Sequence, residues 1–218
     1  MPATPTTLLI VDDEPAIRES LSHTLTEIGH SVRCAEDGFS ALREIRNEVP
    51  ELLLSDLNMP GMSGFELLSV VRRRFPAIQT IAMSGSFSGD EVPSGVAADA
   101  YYQKGSSILA LMRIMETLPQ AERHTHQPTS PDAPLWIHRN THDFSPDACV
   151  TVTCPECLRS FSETLGTGRL KRKTDCIYCR TSIHYAIVQH TDRIPPQVFQ
   201  RKAVAAVRVL QSASNPGY

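Results

Sequence analysis

The chain has 218 residues, 41% of them hydrophobic, with 21 Lys and Arg against 24 Asp and Glu and a net charge of −3. Those figures exclude a uniformly basic nucleic-acid binder and an acidic disordered chain, and the length allows one large domain or two small ones. The longest apolar runs, such as Leu8–Val11 and Leu52–Leu54, fall far short of the roughly 20 residues of a spanning helix. The first ten residues carry no Lys or Arg and do not read as a secretory signal. A cytoplasmic protein with no membrane association is the expectation.

Leu8-Leu-Ile-Val11 is a short apolar run that stops at acids, which predicts a buried strand. Pro15 starts a helix, where its missing N–H costs little, and Gly29 ends it. Ile17, Leu21, Leu25 and Ile28 fall on one face of that helix. Ser31–Cys34 is a second short strand, with Cys34 expected as a small buried hydrophobe. Ala41, Leu42 and Ile45 follow at helical spacing, and Leu52–Ser55 is a third strand. Leu68, Val71 and Phe75 mark another helix, whose Arg72-Arg73-Arg74 end reads as a solvated terminus complementing the helix carbonyls. Gln79–Ser84 is a fourth strand. Phe87 to Ala97 contains Gly89, Pro93 and Gly95, a poor helix. Ala100–Gln103 is a fifth strand, and Ile108, Leu111, Met112, Met115 and Leu118 form an amphipathic helix.

Strands alternating with helices predict a parallel sheet covered on both faces, with its ligand site at the carboxyl ends of the strands. The polar residues at those ends are Asp12 and Asp13 after strand one, Asp56 after strand three, Ser84 after strand four and Lys104 after strand five. Three carboxylates, a hydroxyl and an ammonium converge there. Crowded carboxylates raise one another's pKa unless a cation sits among them. Hard oxygen donors of this kind suit Mg²⁺. Lys104 and Ser84 would face an anion that joins the metal.

The runs Leu-Leu-Ile-Val-Asp12-Asp13-Glu, Leu-Leu-Leu-Ser-Asp56-Leu-Asn-Met-Pro60-Gly-Met-Ser-Gly64, Ile-Ala-Met-Ser84-Gly and Ala-Tyr101-Tyr-Gln-Lys104 resemble the receiver domain of two-component response regulators, over residues 6–118. The resemblance implies a flavodoxin-like, doubly wound five-stranded parallel sheet of order 2-1-3-4-5. It implies Asp56 as phospho-acceptor, and a Mg²⁺ site from Asp12, Asp13, Asp56 and the backbone carbonyl of Asn58. Ser84 and Lys104 would contact the phosphoryl oxygens, and Tyr101 matches the family's switch aromatic. The implied partner is a histidine kinase or phosphotransfer protein. His23 lies on the helix face where a kinase docks in this family and reads as a plain exposed residue. Gly105 stands where the family usually has Pro after the Lys. The weak fourth helix argues against a standard dimer through that face, though it leaves a homodimer open.

Residues 1–120 have a charge balance of −7 and residues 121–218 one of +4. Cys34 is alone in the first part, and five cysteines lie in the second. Four prolines between Pro119 and Pro134, among few apolar residues, predict a linker over 119–134 that passes little coupling energy. The reading is thus a receiver over 1–118, a linker over 119–134, a zinc ribbon over 135–192, and a C-terminal helix and tail over 193–218.

Cys154-Pro-Glu-Cys157 and Cys176-Ile-Tyr-Cys179 are 18 residues apart, the spacing of a four-Cys zinc site. The competing readings are disulfides or redox pairs, which a cytoplasmic chain disfavours. Cys149 and His184 are reserve ligands. Cys149–Thr153, Leu158–Leu165, Arg169–Thr174 and Ser182–Gln189 predict short strands, with a turn at Gly166-Thr-Gly168. So small a unit relies on the metal to fold. Arg169-Leu-Lys-Arg-Lys173 and Arg180, beside Phe161 and Tyr178, make a basic patch that reads as a surface for a protein or a nucleic-acid partner or as a plain solvated hairpin in a structural spacer. Pro195-Pro196 starts a last helix on which Val198, Phe199, Lys202, Ala203, Ala206, Val209 and Leu210 leave one apolar stripe.

Taken together, the sequence predicts a response regulator switched by phosphorylation of Asp56, with a zinc-ribbon output module. It is read as a signalling protein rather than an enzyme. The alternative is a metal-dependent phosphohydrolase with Asp56 as nucleophile. Haloacid-dehalogenase-type sites place a general-acid Asp two residues later, where this chain has Asn58.

Overall fold

The structure is a computed structural model, described over residues 5–85, 96–118, 134–138, 149–165 and 171–188. Five strands form the larger sheet: β1 (Thr7–Val11), β2 (Ser31–Ala35), β3 (Leu52–Asp56), β4 (Gln79–Ser84) and β5 (Ala100–Gln103). All neighbours are parallel, in the order β2-β1-β3-β4-β5. That is the flavodoxin-like order expected. The chain reverses its direction of travel between β1 and β3, so their carboxyl ends flank the crevice where such sheets bind ligands.

Successive strand side chains alternate between faces, and both faces are apolar. Leu8 and Ile10 of β1 and Leu52 and Leu54 of β3 pack under α1 (Pro15–Glu27) and the later helix Ile108–Thr117, with Leu25 and Leu111. Leu9, Val11 and Leu53 pack on the opposite face under α2 (Gly38–Asn47) and α3 (Gly64–Arg74). Ile108–Thr117 is α4 in chain order. The helices start where the sequence supplies caps. Asp37 accepts from the Ser40 N–H at 2.7 Å and closes a reciprocal capping box. Ser63 and Ser107 cap α3 and α4. Gly29 ends α1 at φ +105°.

Three expectations are corrected. Cys34 is exposed, because β2 is the sheet edge and leaves one flank without a neighbour. Ile28 is exposed, because α1 ends before it and it serves as the C-cap. Arg72 is not a solvated end. Its guanidinium lies 2.6 Å from Asp99 and also donates to Thr80 Oγ1, tying α3 to β4 and to the entry of β5. The expected weak helix of Phe87 to Ala97 falls almost wholly outside the described residues. So do the linker, the Gly166–Gly168 turn and the C-terminal helix.

Among the described residues, the second half holds two small sheets. The strands β7 (Cys149–Thr153) and β8 (Ser160–Thr164) form an antiparallel pair. The other sheet, in the order β6-β10-β9, joins β6 (Leu135–His138), β10 (Ser182–Val188) and β9 (Lys171–Asp175). β6 was not predicted. It runs parallel to β10, with Trp136 opposite Ala186.

These sheets do not stand apart from the first half. Leu135, Ile137, Val150, Val152, Phe161, Ile183 and Tyr185 belong to the same buried cluster as α2, α3 and their face of the large sheet. Residues 64–71 of α3 are therefore buried all round. An amphipathic helix buries one stripe, and an all-buried one is core. A Pro-rich linker passing little energy is thus not the main connection; direct packing is.

Candidate functional site

The crevice at the carboxyl edge of β1, β3, β4 and β5 collects the predicted residues. Asp12 and Asp56 are buried, and Asp13 at the mouth is exposed. One carboxylate oxygen from each lies within 4.8 Å of the others. The Lys104 ammonium reaches over from the end of β5, 2.9 Å from Asp12 Oδ2, 3.2 Å from Asp56 Oδ1 and 3.5 Å from Glu14 Oε1. The sequence reading missed Glu14. Its only signal was its place directly after the two acids. Asp12 Oδ1 accepts from the Glu14 N–H at 3.0 Å, which fixes that carboxylate.

Electrostatics follow from burial. Taking Asp56 out of water, beside the charges of Asp12 and Asp13, pushes its carboxyl up to about 6 against the pull of Lys104. Burial alone would lower Lys104. Its close contact with Asp12 and the two carboxylate charges outweigh that and raise it. Asp12 Oδ2 is the telling atom. It is buried and meets Lys104 only as an ion pair, with no aligned hydrogen bond among the described residues. Three close carboxylates with one under-coordinated oxygen match the hard donor set of a divalent cation.

Ser84 is fully buried, and Asn58 Nδ2 lies 3.5 Å from its hydroxyl. The Ser84 backbone carbonyl accepts from the Lys104 N–H and from the Tyr101 hydroxyl, both at 3.0 Å. The ring that resembles a switch aromatic is therefore tethered to β4 beside the site. Gly105 sits at φ +86°, which a proline ring cannot adopt.

The four predicted cysteines also come together. The sulfurs of Cys154 and Cys179 are 3.6 Å apart, and those of Cys157 and Cys176 are 3.7 Å apart. All four lie within 4.8 Å of one another, and none is in a disulfide. Four sulfurs about 2.3 Å from a central zinc define a tetrahedron with edges of about 3.8 Å, so the spacing fits that ion. The two turns share one hydrogen-bond pattern. Cys154 N–H donates to Arg159 O and Leu158 N–H to Cys154 O. Cys176 N–H donates to Thr181 O and Arg180 N–H to Cys176 O. Leu158 and Arg180 occupy the same place in each, at φ 56° and 65°. Burial pushes the Cys154 thiol up, while hydrogen bonding with Thr181 pulls Cys179 down. Cys149 lies beside Thr164, and neither it nor His184 joins the cluster.

Hydrogen bonds to α3 also join the two regions. Glu66, 2% exposed, accepts from the Thr153 backbone N–H at 2.7 Å, one residue before Cys154. Ser69, one turn further along α3, accepts from the Trp136 N–H at 3.2 Å. Ser63-Gly-Phe-Glu66 has the form of a capping box. Ser63 accepts from the Glu66 N–H at 3.4 Å, but the Glu66 carboxylate goes to Thr153 instead.

Comparison with known proteins places the first half. The family model "Response regulator receiver domain" matches residues 8–103. The chain is 33% identical over 132 residues to the response regulator MprA of Mycobacterium sp. (strain KMS), covering 60% of this chain and 56% of that protein. It is 37% identical over 97 residues to the DNA-binding transcriptional regulator NtrC of Klebsiella pneumoniae, covering 44% of this chain and 19% of that protein. Among solved structures, NtrX from Brucella abortus in complex with ADP aligns at 26% identity with a TM-score of 0.51, over 55% of this chain and 28% of that one. The chain spans little more than half the length of the first of these relatives.

Proposed function

Because residues 8–103 are a response regulator receiver domain, we propose that this chain is a two-component response regulator. It accepts a phosphoryl group on Asp56 and signals through a four-Cys zinc ribbon. The observation that carries the reading is Lys104 spanning Asp12 and Asp56 beside Asp13, at the reversal point of the sheet. The division is the one read from the sequence: receiver over 1–118, linker over 119–134, ribbon over 135–192, C-terminal helix over 193–218.

Asp12, Asp13 and Asp56 would hold Mg²⁺, with the Asn58 backbone carbonyl. Bound there, the ion supplies positive charge that screens carboxylate from phosphate and stabilises charge on the transferring oxygens. The side chains do the rest. An Asp56 oxygen attacks phosphorus of a phosphohistidine on the kinase or phosphotransfer protein. The P–N bond breaks, its electron pair returns to the ring nitrogen, and the phosphohistidine ring, protonated on its other nitrogen, leaves as neutral imidazole. Lys104 exchanges its contact with Asp56 for a phosphoryl oxygen and holds it as a point charge. Ser84 donates to a second oxygen. Because Tyr101 is tethered to the Ser84 carbonyl, a shift of that strand end reaches the ring.

The four thiolates would hold one zinc with no open position, which supports a structural rather than catalytic ion. The part that matches NtrC is a fifth of that protein, so its DNA binding is not inherited by resemblance. The ribbon addresses a protein or nucleic-acid partner on its own surface. No helix among the described residues is long and apolar enough to cross a membrane, and a cytoplasmic signalling role without turnover of an external substrate fits the relatives.

The test is incubation with Mg²⁺ and phosphoramidate. One acid-labile phosphoryl group should appear, and Asp56→Ala should abolish it. Equal labelling of that variant would sink the receiver reading.

A further inference from the structure

The outer face of α3 carries something other than solvent. Glu66 and Ser69 are polar, one turn apart and buried, 2% and 6% exposed. Both accept main-chain N–H groups from the second half, one from β7 at Thr153 and one from β6 at Trp136. The apolar side chains of Leu135, Ile137, Val150 and Val152 close the contact. A buried carboxylate is costly unless it is hydrogen-bonded, so Glu66 specifies this partner and this register.

The same helix begins at the phospho-acceptor. Only seven residues separate Asp56 from Gly64, and the Gly64 N–H donates to Leu57 O at 3.1 Å. A Cβ on Gly64 would stand 1.9 Å from the Asp56 backbone oxygen. The Asp56 main chain and the first turn of α3 thus touch without slack, and Glu66 lies in that turn. A displacement at Asp56 has no compliant element to absorb it before Glu66.

We propose that the α3 face bearing Glu66 and Ser69 is the docking surface for the chain's own ribbon, that the docked arrangement belongs to the resting receiver, and that a phosphoryl group on Asp56 loosens it. The sign follows from the arrangement on Asp56: Lys104 rests on its carboxylate, the contact a phosphoryl group must replace. A ligand of Asp56 shifts the joint only by binding its two states unequally, and the coupling is reciprocal. Weakening the joint must then tighten binding at Asp56. This inference rests on the receiver reading above.

The chain has one tryptophan, and Trp136 sits half-buried in this joint. The full-length protein is titrated with beryllofluoride and Mg²⁺. Occupancy of Asp56 is followed by ¹⁹F NMR, and the joint by Trp136 emission. Emission should move to longer wavelength in step with the ¹⁹F signal, and Asp56→Ala should show neither. Glu66→Ala should bind beryllofluoride roughly fivefold or more tightly. Ser69→Ala, a smaller change, should move affinity the same way and guards against misfolding of the first variant. Occupied Asp56 with unchanged or blue-shifted emission, or equal affinities in the wild type and both variants, overturns the coupling alone. Absence of any ¹⁹F signal from bound beryllofluoride overturns the receiver reading and the coupling with it.

Discussion

Gly64 packs against Asp56 so closely that any side chain at 64 would collide with the backbone of Asp56. A Cβ at 64 would lie 1.9 Å from Asp56 O and 2.8 Å from Leu57 Cα. Backbone, unlike the tip of a long side chain, cannot swing away. Gly64→Ala should therefore push the loop before α3 outward. We expect a loss of about 3 kcal/mol in denaturant unfolding and a slower rate of Asp56 phosphorylation. A variant as stable and as readily labelled as the wild type would show that the loop has slack. The coupling proposed between Asp56 and the contact of α3 with β6 and β7 would then lose its mechanical basis.

The proposed function gives Lys104 two roles that a single substitution separates. Its ammonium neutralises Asp12 and Asp56, so it competes with a divalent cation for the same field. It would also grip the phosphoryl group. Lys104→Ala should tighten Mg²⁺ binding roughly three- to tenfold, because one nearby positive charge is gone. It should weaken beryllofluoride binding by roughly tenfold or more, because a charge-assisted contact is lost. Calorimetry for Mg²⁺ and ¹⁹F NMR for beryllofluoride read the two effects apart. Parallel weakening of both would mean that Lys104 only holds the site's shape.

Much of the first half was legible because its signals are periodic and local. β3 is Leu52-Leu-Leu-Ser-Asp56, apolar until its last polar pair, and it reads as a strand buried on both faces. The acids and Lys104 sit at strand ends, so a parallel sheet must bring them together. The misses have physical reasons too. Cys34 looks like its apolar neighbours until strand order puts it on an edge. Arg72 looks solvated until Asp99, 27 residues away, is found beneath it. Least legible was the joint. β6 is four residues long, too short for a period. Glu66 and Ser69 look like a solvent face, because the residues that cover them lie 87 and 67 positions away.

The four-Cys cluster predicts a metal count. Purified protein should hold about one zinc per chain, and Cys176→Ser should lose it, while Cys149→Ser and Cys34→Ser should retain it. Cys176 lies within the group of four, and the other two cysteines lie outside it. Four thiolates must be deprotonated to bind, so a strong chelator or acid should release the ion and melt β7 to β10. The large sheet has a second buried cluster, on the face under α1 and α4, that among the described residues includes none from β6 to β10. It should stay folded by circular dichroism, with α3 left less stable than before. Oxidised Cys154–Cys157 and Cys176–Cys179 pairs without metal would overturn the site.

Glu66 gives the joint a pH dependence of definite sign. Burial pushes its carboxyl up to about 7, against the hydrogen bonds from Thr153 that favour ionisation. In the unfolded chain it titrates near its ordinary value of 4.5. Between those values the folded state binds the proton that the unfolded state has lost. Stability from this group is then full below about pH 4.5 and falls as pH rises towards 7. Glu66→Gln cannot ionise, and its side-chain carbonyl can still accept from Thr153. Relative to this variant, the wild type should lose about 1–2 kcal/mol of unfolding free energy between pH 6 and pH 8. Zinc is kept saturating in both proteins, so that release of the metal by the thiolates cancels in the difference. Parallel pH profiles for the two proteins would mean that Glu66 titrates as an exposed carboxylate and that the joint does not bury it.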